Sequence, residues 1–106
     1  MHIIKPRTIR EYERRHPDAR ASLEEWLLKV KAARWDNISD LRQTFAHADP
    51  VVLQGGETVT VFNIAGNKYR LITTVRYRTK TVFTLMFLPH AEYSKDTWKE
   101  LLCKSR

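Results

Sequence analysis

The sequence predicts an α+β fold, on three observations. Apolar residues recur at helical spacing through the first half of the chain, most clearly from Asp18 to Arg34. After Pro50 the chain turns to β-branched residues and alternation, over Thr58 to Ile64, Tyr69 to Tyr77 and Thr81 to Leu88. Trp98, Leu101 and Leu102 then bring helical spacing back at the end.

Each element follows from local chemistry. Ile3-Ile4 begins a short strand that Lys5-Pro6 ends, because proline lacks a ladder donor yet suits a helix's first turn. Thr8 to His16 reads as a short helix with Ile9, Tyr12 and His16 on one side, stopped by Pro17. A longer helix, Asp18 to Arg34, buries Ala19, Leu23, Trp26, Leu27, Val30 and Ala33. Asp18 is its expected N-cap, with Ser22 and Glu25 as an alternative capping box. Ile38 to Phe45 forms a third short helix capped by Asn37 or Ser39. Gly55-Gly56 marks a turn, and Gly66-Asn67 a hairpin turn that needs positive φ. Over Tyr69 to Tyr77, alternation sends Tyr69, Leu71, Thr73, Val75 and Tyr77 one way and Lys68, Arg70, Ile72, Thr74, Arg76 and Arg78 the other. Phe83, Leu85 and Phe87 share one side of the next strand. Ser94 caps the C-terminal helix. The expected architecture is an antiparallel sheet core, a three-strand meander, flanked by N-terminal helices and one C-terminal helix.

Composition narrows the function. At 106 residues the chain fits one domain, 1–106, with a modest core. A hydrophobic share of 42% argues against disorder. The single Cys103 precludes an internal disulfide and suits a reducing compartment. No run of eighteen apolar residues is present to span a membrane, and the start lacks a signal peptide's pattern, so a cytoplasmic protein is expected. The net charge of +7 points to a polyanion or an acidic partner. Between Glu57 and Glu92 there is no acidic residue, yet Lys68, Arg70, Arg76, Arg78 and Lys80 lie there. A sheet with only positive charge, followed by His90 and Tyr93, suits RNA. His2, His16 and His47 are scattered without ligand spacing, so no metal site is expected.

Two segments carry a resemblance: Phe62-Asn63-Ile64-x-Gly66-Asn67-Lys68-Tyr69-Arg70-Leu71-Ile72 and His90-x-Glu92-Tyr93-x-Lys95. They resemble the HigB-type toxins of bacterial toxin–antitoxin modules, a branch of the RelE superfamily of mRNA interferases. The opening Met1-His2-Ile3-Ile4 leading to Arg7-x-Ile9 is a weaker match, and the likeness extends over nearly the whole chain in length and element order. The chain differs from the usual pattern at Leu88-Pro89, before the histidine, and at Ser94, after the tyrosine. The resemblance implies a RelE-like domain acting as a ribosome-dependent endoribonuclease that cuts translated mRNA without metal or cofactor. It implies two kinds of partner: the ribosome with its mRNA and rRNA, and a cognate helix-turn-helix antitoxin (HigA-like). Operator DNA would be met only through the antitoxin complex.

Metal-free RNA cleavage uses the substrate's 2′-OH as nucleophile, so the protein must move protons and stabilise a phosphorane. Arg70 offers a planar fork for a phosphate, although an arginine on a sheet is often just ion-paired. His90 is of the residue type that changes charge near neutrality and suits acid or base work. Tyr93 can donate a proton, stack on an unpaired base, or wedge the last strand against the terminal helix. The catalytic candidates are therefore Arg70, His90 and Tyr93. The RNA-binding candidates are Asn67, Lys68, Arg76, Arg78 and Lys95. Glu92 is expected in a salt bridge, and Arg7, Arg10, Arg14 and Arg15 form a solvated helix face or a contact to rRNA. Two alternatives remain: a same-fold toxin that inhibits a protein, as ParE-like gyrase poisons do, and an RNA-binding module without catalysis.

Overall fold

The structure, a computed structural model, describes residues 1–104, with side chains to Leu102; the side chain of Cys103 lies outside the described set. Five strands form one sheet in the order β1-β5-β4-β3-β2, with β1 at His2–Ile4, β2 at Asp49–Val52, β3 at Thr58–Ile64, β4 at Tyr69–Arg76 and β5 at Thr81–Pro89. Helices α1 (Arg7–Arg15), α2 (Arg20–Ala32) and α3 (Ile38–Thr44) precede the meander; α4 (His90–Ser94) and α5 (Thr97–Lys104) follow it. This is the expected α+β class. Strands β2 to β5 are antiparallel neighbours, while β1 pairs with β5 in parallel, making the sheet mixed.

Each face of the sheet buries its own apolar layer. On one face, Ile9 of α1 and Leu23, Trp26, Leu27 and Val30 of α2 pack on Phe62, Ile64, Leu71, Val82 and Phe87. Aromatic rings continue this layer: Tyr12 and Tyr69 both stack on Phe87, at 5.3 and 4.9 Å between centroids. On the other face, Val59, Val61 and Ile72 meet Leu53 and, from α5, Trp98 and Leu102. Burying each of these large side chains contributes about 1.5–3 kcal/mol. Trp26, Trp35 and Trp98 are all core residues.

Several local expectations change. Asp18 does not cap α2; it lies in a 3₁₀ turn, and its carboxylate accepts the Tyr69 hydroxyl at 2.9 Å. The Ser22–Glu25 box does not form either, because α2 already runs on from that turn and leaves no free N-terminus there. Asn37 caps α3, accepting from the Asp40 N–H at 2.9 Å. Ser94 closes α4 rather than opening α5: its Oγ donates to the His90 carbonyl, a bond that turns the side chain backward. Strand β2 was not foreseen, since its Pro50 suppresses the strand signal; at the sheet edge a missing donor is tolerated. Leu85 is the extra residue of a bulge on β5: Ile72 pairs with Met86 and Thr73 with Thr84. One inserted residue reverses the alternation, so Phe87 joins the α1–α2 face while Leu85 and Met86 join the other.

The bulge does not touch β4, whose two faces are as the alternation predicts. The face of Arg70 is not a purely basic surface, however. Ile72 at its centre is completely buried beneath the α5 layer. The tract's charges are thereby parted into two groups, one at each end of β4.

Candidate active site

The first end is built by the β3–β4 turn. Ala65 and Gly66 both take positive φ, 55° and 67°, and the Lys68 N–H closes the turn on the Ala65 carbonyl. Asn67 does not need the left-handed region expected of it; instead it faces back toward the strand. Its Oδ1 accepts from Arg70 Nη2 at 2.7 Å, and its carbonyl accepts from Nη1 at 3.3 Å. The Tyr69 carbonyl takes a further bond from Nη1 at 3.1 Å. Arg70 is 9% exposed, and its guanidinium is held by these three neutral oxygens. It shares a cavity with the Asp49 carboxylate, and the hairpin sets its direction.

Arg70 lines an open cavity of about 450 Å³ together with Tyr93, Asn63, Val61, Asp49, Arg42 and the Ala46–Ala48 segment. Strand pairing explains the convergence. Asn63 is opposite Arg70, and Asp49 opposite Val61, so all four side chains project from one face. Arg42 reaches in from α3, its Nε donating to the Ala48 carbonyl at 3.2 Å. Tyr93 arrives on α4, with its ring centroid 5.7 Å from the Arg70 guanidinium carbon. Burial raises the Tyr93 phenol above the usual tyrosine range; Asp49 adds to the rise and Arg70 opposes it. The phenol is therefore a proton donor at neutral pH. The cavity joins a fixed cation, a protonated hydroxyl, an amide and a carboxylate, a set able to hold a phosphodiester and exchange protons with it.

The other expected residues are spread more widely. His90 opens α4, exposed and outside the cavity lining; its N–H donates to the Lys68 carbonyl at 2.8 Å. Lys68 is exposed and 3.8 Å from Asp18. Lys95 is 3.3 Å from Glu92, the salt bridge foreseen for that carboxylate. Lys80 is tied to the Trp35 carbonyl and to Asp36. Arg76 and Arg78 belong to the far end of β4. Arg76, with its guanidinium 4.7 Å from the Phe83 ring, is six residues and about 20 Å of strand from Arg70. Within the α1 cluster, Arg10 is bound to Glu13 at 3.1 Å and is 3.6 Å from Glu24, so it is partly neutralised. Among the described residues no three His, Cys, Asp or Glu converge on a metal position.

Arg42, His47, Asp49 and Asn63 were not singled out by sequence reasoning. Asn63 had a usable signal, since it and Arg70 are placed symmetrically about the hairpin turn. His47 and Asp49 had none, because only the pairing of the unforeseen β2 brings them to Arg70.

Comparison with known proteins bears on this arrangement. No curated protein matches the chain. The family model described as HigB_toxin, RelE-like toxic component of a toxin-antitoxin system, matches residues 19–96, well over half of the 106. That span contains β2 to β5, α2 to α4 and every residue lining the cavity; β1, α1 and α5 lie outside it. The cavity is thus built wholly from the matched segment, and the chain belongs to the HigB family of RelE-like toxic components of toxin–antitoxin systems.

Proposed function

We propose that this toxin, acting as a single domain over 1–106, is a metal-independent, ribosome-dependent mRNA endoribonuclease that stops translation and growth. The observation that supports it most is Arg70: a nearly buried guanidinium held by three oxygen atoms on the wall of a cavity. A planar guanidinium presented at the wall of a concave site suits a phosphate.

In this reading the 2′-oxygen of the substrate attacks phosphorus, the P–O5′ bond breaks, and a 2′,3′-cyclic phosphate and a 5′-hydroxyl result. Arg70 stabilises the negative charge of the phosphorane. Tyr93 gives its proton to the departing 5′-oxygen, in keeping with its raised pKa. His90, whose backbone is bonded to the Lys68 carbonyl, takes the proton that the attacking 2′-hydroxyl gives up. Lys68 and Lys95 meet flanking phosphates, since their exposed ion pairs are weak enough to be exchanged. Arg76 and Arg78 would contact RNA remote from the scissile bond. Asn67, expected to touch RNA itself, serves by orienting Arg70. Belonging to a toxin–antitoxin family implies a cognate antitoxin; we propose a helix-turn-helix protein. No helix among the described residues is long and apolar enough to cross a membrane, and we propose a cytoplasmic site of action.

The position of His90 outside the cavity favours a second reading, inhibition of a protein target, in which that histidine is dispensable. Controlled expression of the wild type and the Arg70→Ala, His90→Ala double mutant, followed by mapping of new mRNA 5′ ends, separates the two. New ends within translated frames that vanish in the mutant are expected. Growth arrest without new ends would defeat the nuclease reading.

A further inference from the structure

Tyr93 lies on a helix of only five residues, α4, too short to be rigid by itself. Its orientation is supplied from α5, an element outside the family match. The Trp98 indole is stacked on the Tyr93 ring at 5.2 Å between centroids and 16° between planes. Its Nε1–H donates to the Tyr93 carbonyl at 3.0 Å. Trp98 is 1% exposed and set among Leu53, Val59, Val61, Ile72 and Leu102, so it moves only if the sheet moves. One side chain therefore fixes both the ring and the backbone of Tyr93, next to a guanidinium that Asn67 has already fixed.

We propose that Trp98 is a positioning residue of this site: it holds the Tyr93 phenol in register with Arg70, coupling the C-terminal helix α5 to the toxin's activity. The inference deepens the ribonuclease reading and rests on it for its kinetic test, but it has a second readout that does not. Two variants grade the interaction. Trp98→Phe keeps a stacked ring and loses the indole hydrogen bond; Trp98→Leu keeps apolar filling and loses both.

The full-length variants are assayed for cleavage of mRNA on programmed ribosomes. For Trp98→Leu the maximal rate should fall about tenfold or more, with half-saturation changed less than about twofold, because misplacement of a reacting group affects rate more than binding. Trp98→Phe should lie between Trp98→Leu and the wild type. Wild-type rates in a folded Trp98→Leu protein would overturn the proposal. If Trp98→Leu does not fold, Trp98→Phe decides alone, an unchanged rate again overturning it.

The second readout is the ionisation of Tyr93, followed by NMR of labelled tyrosines and assigned with Tyr93→Phe. Burial is the main cause of the raised pKa, so freeing the ring in Trp98→Leu should lower it toward the ordinary tyrosine value. In Trp98→Phe, which retains the stack, the pKa should move less. Should the wild type cleave nothing, the nuclease reading fails. The positioning inference would then stand or fall on this titration, an unmoved phenol overturning it.

Discussion

The two ends of strand β4 carry the same residue type and opposite designs. Arg70 is nearly buried, held by the Asn67 side chain and two carbonyls, and adjacent to a phenol and a cavity. Arg76 is exposed and rests on the Phe83 ring, with Arg78 in the following turn. Composition cannot separate them, since both belong to one acid-free tract. The fold does so by covering Ile72 with α5 and by curling the Asn67 turn back onto Arg70. Positive charge on a strand attracts a polyanion at either end, but it is Arg70 that hydrogen bonds hold in a fixed direction.

The largest expected contrast is between Arg70→Ala and Arg76→Ala. Losing a preorganised charge at a phosphorane costs about 10²–10³ in rate, so Arg70→Ala should abolish toxicity in a folded protein, whereas Arg76→Ala should be nearly as toxic as wild type. Equal losses at both ends, measured by mRNA cleavage and growth, would break the distinction. A finer version is Arg70→Lys, which retains charge but loses the planar fork; a fall of about tenfold or more is expected if geometry matters.

Asn67→Ala tests the anchoring directly. It leaves Arg70 in place with one oxygen fewer, and a reduction in rate of about tenfold is expected, since small misplacements at a reacting centre are costly. Near-wild-type cleavage would show that the carbonyls suffice. Removing Arg76 and Arg78 together should instead lower the slope of ribosome affinity against salt by about one for each phosphate that is no longer neutralised, leaving the cleavage step intact. An unchanged slope would exclude the far end from the RNA interface.

The smallest effect concerns pH. Burial raises the phenols of Tyr12, Tyr77 and Tyr93 in the folded state. The unfolded chain therefore loses these protons first, so the stability these groups confer is intact below the ordinary tyrosine pKa, about 10, and declines as pH rises through the folded values. Chemical denaturation across this range should show the decline, made shallower by Tyr93→Phe. A profile unaffected by that substitution would mean that Tyr93 titrates as an ordinary exposed phenol.

Much of the fold was legible because its signals are local. The α2 periodicity, the alternation of β4 and the Asn37 cap each depend on residues within a few positions of one another. What failed depended on the rest of the molecule. The Leu85 bulge has no glycine to mark it, and only pairing with β4 reveals that Phe87 changes sides. Asp18 has the side chain of a cap, but Tyr69, 51 residues away, engages it instead. The site divided in the same way. Arg70 and Tyr93 stood out from residue type and resemblance, while His90, from the same motif, is set outside the cavity by the short turn of α4. Asp49 and His47 needed a strand that Pro50 concealed.

The parallel pairing of β1 with β5 sets an order on biosynthesis. Residues 2–4 leave the ribosome early, yet their partners are residues 81–83, so the first strand waits for nearly the whole chain before it has a place in the sheet. Tyr93 and Trp98 emerge later still. A partly made chain therefore contains Arg70 but neither the phenol beside it nor the indole that steadies it. The cavity that joins Arg70 to Tyr93 is therefore complete only after α4 has been made, and is steadied only after α5.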